Sequence, residues 1–313
     1  MSVLLFPGQG SQIVGMGSEF YNNFDIVKKI FKQADEKLNY PLSKIILEGP
    51  ADQLQLTQNT QPAILTVSYG IFKVLKDEFN FNFKSFKYFA GHSLGEYSAL
   101  VCSDALDFND GVYLLHQRGK AMQEAVPIGE GSMVAVLGTE IGAINDLLSS
   151  SKISNGICEI ANDNADGQVI ISGEKETVDS FQIILKEKKI KTIPLNVSAP
   201  FHCSLMKEAA GNMKDKIDKT TFNTPSIEII SNVKAEPVKD TNIIKKLLIE
   251  QIFSTVKWRE SLIRMSKDGA TRYIEVGPGK VLTGMVKRTI KNANCFSINS
   301  IADIKNLENE FKK

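Results

Sequence analysis

The chain has 313 residues, enough for one large domain or two modest ones with a substantial buried core. Apolar residues make up 42% of it and charged residues 23%, which is ordinary for a globular protein, and the formal net charge is +1. This near-neutral balance gives no reason to expect binding to nucleic acid or to an anionic membrane surface.

Local features exclude other classes of protein. No apolar run approaches the roughly 20 residues of a membrane span, and the N-terminal segment MSVLLFPGQG lacks the basic region of a secretion signal. The four cysteines lie far apart without a Cys-x-x-Cys pair, so we expect neither a disulfide framework nor a zinc site. The sequence therefore predicts a cytoplasmic, metal-free α/β protein.

Strands and helices alternate along the first 128 residues. Strands are predicted at 2–6 and 86–90, and helices at 24–38, at 60–79, after residue 93 and at 108–126. The first strand is closed by Pro7-Gly8-Gln9-Gly10, a turn sequence. This alternation predicts a mostly parallel sheet with helices packed on both faces.

Residues 129–197 follow a different order, β-α-β-β-α-β, with a hairpin turn predicted at Asn164-Ala165-Asp166-Gly167. That order is typical of a ferredoxin-like module. We interpret it as an insertion into a main domain formed by residues 1–128 and 198–313. The α/β pattern then resumes with a strand at 227–233, two helices, a strand at 272–276 and a last long helix.

The segment Gly91-His92-Ser93-Leu94-Gly95 stands where a predicted strand becomes a helix. Two glycines around a serine predict a turn too tight for a Cβ on either side, which is the G-x-S-x-G nucleophile elbow. The start of the following helix would supply the N–H of Leu94 to a developing oxyanion. The motif also occurs by chance, and it does not identify the acyl group that is moved.

A serine hydroxyl needs a base within hydrogen-bond reach, and the chain has three histidines. His92 lies inside the elbow, where its side chain should point away from Ser93. His116 lies in a predicted helix among leucines, which favours a half-buried structural role. His202 follows the last strand of the insertion and is the candidate base, with a structural role as the open alternative.

Two glycine-rich segments must be compared with nucleotide-binding loops. In FPGQGSQ, Ile13 occupies the place of the third glycine of G-x-G-x-x-G, and in GPGKVL, Val281 replaces the Ser or Thr of a P-loop. Both segments therefore read as turns that let the backbone approach a ligand closely. The first of them is the candidate source of a second oxyanion donor.

Six segments, in order and over nearly the whole chain, resemble malonyl-CoA:acyl carrier protein transacylases: FPGQGSQ, TQPA, GHSLGEYSAL, RGKAMQ, SAPFHCSLM and EVGPGKVLTG. The resemblance implies a main domain related to the α/β-hydrolase fold that carries the ferredoxin-like insertion. It implies that a malonyl group passes from malonyl-CoA to the phosphopantetheine thiol of acyl carrier protein through a covalent malonyl-serine. No cofactor or metal is then required, and a monomer is expected.

The resemblance also assigns roles to residues of this chain. Ser93 would be the nucleophile and His202 its base, with the main-chain carbonyl of Gln251 holding the second histidine nitrogen. An aspartate partner is the alternative that the sequence leaves open. The main-chain N–H groups of Gln9 and Leu94 would form the oxyanion hole.

Specificity would come from two further residues. Arg118 matches the arginine that pairs with the free carboxylate of the malonyl group, and its alternative role is that of a solvated helix arginine. Phe201 would crowd a methyl group on the acyl α-carbon, and its alternative role is core packing. We also expect a rim of basic residues that binds an acidic carrier protein; the alternative is that these residues only lie on solvent-exposed helix faces. They are Lys186 to Lys191, Lys280, Lys287, Arg288 and Lys291.

Three other functions remain open at this point. A thioesterase or esterase of related fold would hydrolyse malonyl-CoA without a thiol acceptor. A transferase for another extender or starter unit would use the same serine. A carrier-binding scaffold without catalysis is disfavoured by the presence of Ser93, His202 and Arg118 together.

Overall fold

The computed structural model describes residues 1–151, 156–197 and 199–311. These residues form an α/β fold with a mixed, mostly parallel sheet of six strands and a separate antiparallel sheet of four. The strands are β1 (Ser2–Phe6), β2 (Phe86–Gly91), β3 (Gly131–Leu137), β4 (Cys158–Ala165), β5 (Gln168–Glu174), β6 (Lys191–Pro194), β7 (Glu228–Ile230), β8 (Pro237–Val238), β9 (Arg272–Val276) and β10 (Asn294–Ile298).

Helices surround both sheets. They are α1 (Ser18–Asn23), α2 (Asp25–Leu38), α3 (Leu42–Glu48), α4 (Ala51–Gln55), α5 (Thr57–Lys73), α6 (Gly95–Cys102), α7 (Phe108–Glu124), α8 (Ile141–Ser150), α9 (Lys175–Glu187), α10 (Lys207–Lys219), α11 (Thr241–Gln251), α12 (Trp258–Lys267), α13 (Val281–Thr289) and α14 (Ile301–Phe311). A π-helical turn, Val74–Glu78, extends α5.

The larger sheet has the order β10-β9-β1-β2-β7-β8, and all its pairs are parallel except β7 with β8. Strand β1 is buried along its whole length because both faces of the sheet are covered. Leu4 and Phe6 pack into the main hydrophobic core with helices of one face, whereas Val3 and Leu5 pack into a second core with α12 and α13.

The smaller sheet has the order β4-β5-β3-β6, and its elements follow the predicted sequence β-α-β-β-α-β. One face packs against α8 and α9 around Val134, Val136 and Phe181. The predicted hairpin turn is present at Asp166-Gly167, with Gly167 at φ +67°. Residue 198, where we expect the chain to re-enter the main domain, lies outside the described residues.

Strand β4 is joined to the segment before α12. The N–H of Asp163 donates to Val256 O at 3.0 Å, and the N–H of Val256 donates to Ala161 O at 2.9 Å. The carboxylate of Asp163 also accepts from Nε of Arg259, with both oxygens at 3.0 Å. These bonds hold the smaller sheet against the same stretch of chain that follows α11.

The C-terminal prediction of one long helix is wrong. Helix α13 ends at Thr289, Asn292 adopts φ +63°, and the chain then enters β10 and α14. The edge strand β10, which pairs with β9, is short, and its apolar residues do not alternate regularly with polar ones. The sequence therefore contained no clear strand pattern at this position.

The strand predicted at 227–233 is also shorter than expected. The chain turns after Ile230, where the N–H of Ala235 donates to Ser231 O at 2.8 Å. This early end leaves Asn232 outside the sheet, close to the nucleophile elbow.

Candidate active site

Ser93 lies on the turn between β2 and α6, as the sequence predicts. Its φ is +54°, in the left-handed region that residues other than glycine seldom adopt. A Cβ on Gly91 would lie 1.9 Å from the carbonyl carbon of Gly95, and a Cβ on Gly95 would lie 2.3 Å from the oxygen of Phe6. The tight turn therefore requires both glycines, and it places Ser93 at the carboxyl end of β2.

The loop that follows β1 lies against this turn because β1 and β2 are parallel neighbours. The approach is close, since a Cβ on Gly8 would lie 2.7 Å from the oxygen of His92. The main-chain N–H groups of Gln9 and Leu94 have no acceptor among the described residues, and both residues line the cavity at Ser93. Two unused donors at a nucleophile are what an oxyanion hole needs.

His202 contacts Ser93 directly, with 2.8 Å between Nε2 and Oγ. Its Nδ1 lies 2.8 Å from the main-chain oxygen of Gln251. Because a carbonyl oxygen only accepts, Nδ1 must carry the proton, which leaves the lone pair of Nε2 to accept from the hydroxyl. Burial and the nearby Arg118 cation lower the pKa of His202 to about 3, so the imidazole is neutral and able to act as a base.

The other two histidines are engaged elsewhere. His92 Nε2 lies 2.8 Å from Asn164 Oδ1, pointing away from Ser93 as expected. His116 is half-buried, with its Nδ1 3.0 Å from the main-chain oxygen of Gln58. His202 is therefore the histidine that the fold brings to Ser93.

Arg118, on α7, is only 1% exposed, so it is not a solvated helix arginine. Its Nη1 donates to Gln61 Oε1 at 2.7 Å, and its Nη2 donates to Gln251 Oε1 at 2.9 Å and to Ser93 Oγ at 3.1 Å. Its Nε has no partner among the described residues. Burial lowers the pKa of the guanidinium, but the group stays charged at physiological pH.

Gly119, next to Arg118 on α7, is closely packed and does not open space for a ligand. A Cβ at this position would lie 2.5 Å from Thr57 O and 2.6 Å from Gln58 Cα. Gly119 is needed because α7 packs directly on the backbone at the start of α5, and this contact holds Arg118 in place.

These groups share a cavity of about 550 Å³ between the two sheets. Ser93, His202, Arg118 and Phe201 line one side of it, and Phe201 is itself buried. The smaller sheet supplies the opposite wall, through Met133, Ala135, Asn162, Asn164, Gln168 and Ile170.

Three buried polar residues of the site were not singled out from the sequence. Gln61 holds Arg118, and Asn232 Oδ1 accepts from the main-chain N–H of Ser93 at 2.7 Å. Glu96, in the first turn of α6, accepts from Gln251 Nε2 at 2.7 Å. Gln61 and Glu96 lie within segments that carry the family resemblance, so those segments held a signal, whereas nothing in the sequence marked Asn232.

The described residues contain no group of three or more His, Cys, Asp or Glu side chains that could hold a metal ion. In the same part of the chain, no helix has both the length and the apolar character needed to cross a membrane.

A serine with a neutral histidine base, next to a buried cation able to hold an anionic acyl group, defines an acyl-transferring enzyme. The chain belongs to the acyl transferase domain family, whose model matches residues 3–312. It is 42% identical to the malonyl CoA-acyl carrier protein transacylase of Bacillus subtilis, over 94% of this chain and 92% of that protein. It is 39% identical to the transacylase of the same name from Escherichia coli K12, over 94% of each chain.

Solved structures give the same result. The acyl-carrier-protein S-malonyltransferase of Bartonella henselae superposes with a TM-score of 0.95 at 37% identity, covering 100% of this chain and 99% of that one. A malonyl-transacylase solved in complex with its type II PKS acyl-carrier protein superposes with a TM-score of 0.94 at 36% identity, covering 98% of this chain and 99% of that one.

Proposed function

We propose that this protein transfers the malonyl group of malonyl-CoA to the phosphopantetheine thiol of acyl carrier protein, for fatty acid synthesis. The observation that carries the proposal is the position of Ser93 Oγ, 2.8 Å from His202 Nε2 and 3.1 Å from Arg118 Nη2. One hydroxyl thus contacts both a base and a binding group for a carboxylate, as the transfer of a malonyl group requires.

In the first half-reaction, Ser93 Oγ gives its proton to His202 Nε2 and attacks the thioester carbonyl. The N–H groups of Gln9 and Leu94 would stabilise the negative charge that develops on the carbonyl oxygen. When the C–S bond breaks, the CoA sulfur takes the proton from His202. The products are malonyl-Ser93 and free CoA.

The second half-reaction reverses these roles. The carrier's thiol gives its proton to His202 and attacks the malonyl-Ser93 ester, and the departing Oγ recovers the proton. Both thiols stand at the end of the same pantetheine arm, so one cavity serves both. Each step is a proton transfer plus an acyl transfer, and the scheme uses no cofactor or metal.

Arg118 would hold the free carboxylate of the malonyl group. Its Nε has no partner among the described residues, and its Nη2 contacts Ser93, a bond that an arriving carboxylate can replace. A guanidinium edge of this kind binds a carboxylate through two parallel hydrogen bonds. Phe201 lines the same cavity, where its ring would crowd a methyl group on the acyl α-carbon.

The finer description of the fold is also part of this proposal. The larger sheet, with its nucleophile on the turn after β2, supports a relationship to α/β-hydrolases. The antiparallel order β4-β5-β3-β6 supports a ferredoxin-like insertion at residues 129–197, between main-domain segments 1–128 and 198–313. A monomeric state, a cytoplasmic location and the absence of a nucleic-acid partner stay predictions.

One experiment tests the function. The protein is incubated with malonyl-CoA, and the adduct is located by intact mass and peptide mapping before acyl carrier protein is added. We expect a malonyl group on Ser93 that persists without acceptor and then moves to the carrier. Rapid hydrolysis without a thiol would indicate a thioesterase, labelling only by another acyl-CoA would indicate a different extender unit, and no adduct would indicate a scaffold.

A further inference from the structure

Glu96 is a buried carboxyl group that the proposed mechanism does not use. It is 2% exposed, and its Oε2 accepts from the main-chain N–H of Asn232 at 3.1 Å and from Gln251 Nε2 at 2.7 Å. A buried carboxylate is retained only where donors and a compensating charge stabilise it. Burial raises the pKa of Glu96 to about 7, and the hydrogen bonds from Asn232 and Gln251 and, to a smaller extent, the Arg118 cation on α7 oppose that rise.

The side-chain amide of Gln251 connects these two charges. Its Oε1 accepts from Arg118 Nη2 at 2.9 Å, and its Nε2 faces acceptors, namely Glu96 Oε2 and Ser93 O at 3.0 Å. The reversed amide would turn its NH₂ toward the guanidinium and its oxygen toward the carboxylate, which repels at both ends. Glu96 therefore selects the orientation in which Gln251 holds Arg118 beside Ser93.

The Arg118 guanidinium has no direct counter-ion in the part of the chain that the structure describes. Its hydrogen-bond acceptors among the described residues are the amide oxygens of Gln61 and Gln251 and the hydroxyl of Ser93. Because none of these is charged, the guanidinium keeps most of its attraction for an anionic acyl group, and Glu96 offsets part of that attraction across the Gln251 amide. An acyl group that lacks a carboxylate would interact only weakly with the charges of Arg118 and Glu96.

We propose that Glu96 is a positioning residue for malonyl selection, which orients Gln251 and Arg118 and limits how strongly the guanidinium holds the malonyl carboxylate. This inference rests on the proposed function. Glu96 touches neither the substrate nor the reacting atoms in this scheme, and it acts on Arg118 through the Gln251 amide and through its charge.

The test compares KM and kcat for malonyl-CoA and acetyl-CoA in the full-length protein at about pH 8.5, above the pKa of Glu96, which burial raises to about 7. Glu96→Gln keeps the shape and the accepting oxygen but removes the charge. We expect KM for malonyl-CoA to fall by about threefold or more, with KM for acetyl-CoA unchanged. Gln251→Met keeps the main-chain carbonyl that holds His202 but removes the side-chain amide that joins Arg118 to Glu96. This variant should raise KM for malonyl-CoA by about tenfold.

A matched control is Glu275→Gln. Glu275 is equally buried and accepts from the N–H groups of Leu282 and Thr283, with no link to Arg118. This variant should lower the melting temperature and leave the ratio of the two KM values unchanged. Equal changes for both substrates in Glu96→Gln or, if that variant does not fold, in Gln251→Met would overturn the proposal. Failure of the wild type to form malonyl-Ser93 would instead overturn the proposed function.

Discussion

The imidazole of His202 is held by the main-chain oxygen of Gln251 at 2.8 Å, and no carboxylate of the described residues occupies this position. A neutral carbonyl fixes the tautomer and the ring orientation of His202, but it stabilises an imidazolium less than a carboxylate does. His202 is therefore suited to accept a proton and pass it on quickly, because its imidazolium form is only weakly stabilised. Transfer between two thiols of similar basicity requires only such a shuttle.

Replacing the base should slow both half-reactions. In His202→Ala, Ser93 keeps its position but loses the group that takes its proton, so we expect the rate of malonyl-Ser93 formation to fall by about 10²- to 10⁴-fold. Rapid-quench mass spectrometry measures this rate. The control is His116→Gln, because His116 bonds only to Gln58 and Tyr40 in the described structure, and this variant should acylate at nearly the wild-type rate.

Replacing Arg118 should separate two substrates. A charge-assisted pair in a partly dry cavity contributes about 2 to 4 kcal/mol, so Arg118→Ala should reduce kcat/KM for malonyl-CoA about 30- to 1000-fold more than for acetyl-CoA. The ratio is decisive because Arg118 also contacts Ser93, and part of the loss will be common to both substrates. An equal loss for the two would contradict the role of the guanidinium in malonyl binding.

Phe201 should control the size of the acyl α-carbon substituent. In Phe201→Ser the ring is removed from the cavity wall, and kcat/KM for methylmalonyl-CoA should rise about tenfold relative to malonyl-CoA, since one methyl group is worth about 1 to 3 kcal/mol. Competition between the two substrates measures this ratio. If the preference for malonyl-CoA over methylmalonyl-CoA did not change, Phe201 would have only a packing role.

The protonation of His202 gives a prediction that does not depend on turnover. Its pKa is lowered from 6.5 to about 3, chiefly by burial and then by Arg118, so the ring should stay neutral as pH falls from 8 to about 5. The neutral form is favoured in the folded state. The contribution of His202 to stability is therefore complete above pH 6.5 and is lost as the pH falls toward 3.

Carbon-13 NMR of ring-labelled protein measures this titration, and three histidines make the assignment simple. In Arg118→Ala the pKa of His202 should rise, because one of its two main causes is removed. A His202 signal that titrates near 6.5 in the wild type would contradict the buried position of the ring.

Charge should govern carrier docking. Lys280 and Lys287 are exposed and take part in no ion pair of the described structure. Lys280 immediately precedes α13 and Lys287 lies within it, and the α13 residues Val281 and Leu282 line the cavity. Lys280→Glu with Lys287→Glu should raise KM for an acidic carrier protein several-fold at low salt, with less effect as ionic strength rises. The control is Lys32→Glu on α2, which adds no residue to the cavity. A KM for carrier protein that does not respond to salt would count against electrostatic docking.

Much of the catalytic centre could be predicted because its signals are local. Gly91, Ser93 and Gly95 lie within one turn of chain, where hard-sphere contacts decide which residues fit, so the elbow is visible as a pattern. His202 could be predicted as the base because the chain has few histidines and the other two lie in unsuitable surroundings. The six segments that resemble malonyl-CoA:acyl carrier protein transacylases occur in the same order along this chain, and they predicted the acyltransferase function without any knowledge of contacts.

The remaining features depend on which strands are neighbours. Asn232 reaches the N–H of Ser93 only because β7 pairs with β2, and Gln251 reaches Ser93, Arg118 and His202 only because α11 ends beside that edge of the sheet. Gly119 has a packing role rather than a binding role because α7 crosses α5 at that residue. Local sequence determined the nucleophile and its turn. The tertiary structure decided how Arg118 and Glu96 are held, because buried charges are stabilised by partners, and those of Arg118 and Glu96 include residues more than a hundred positions away in the chain.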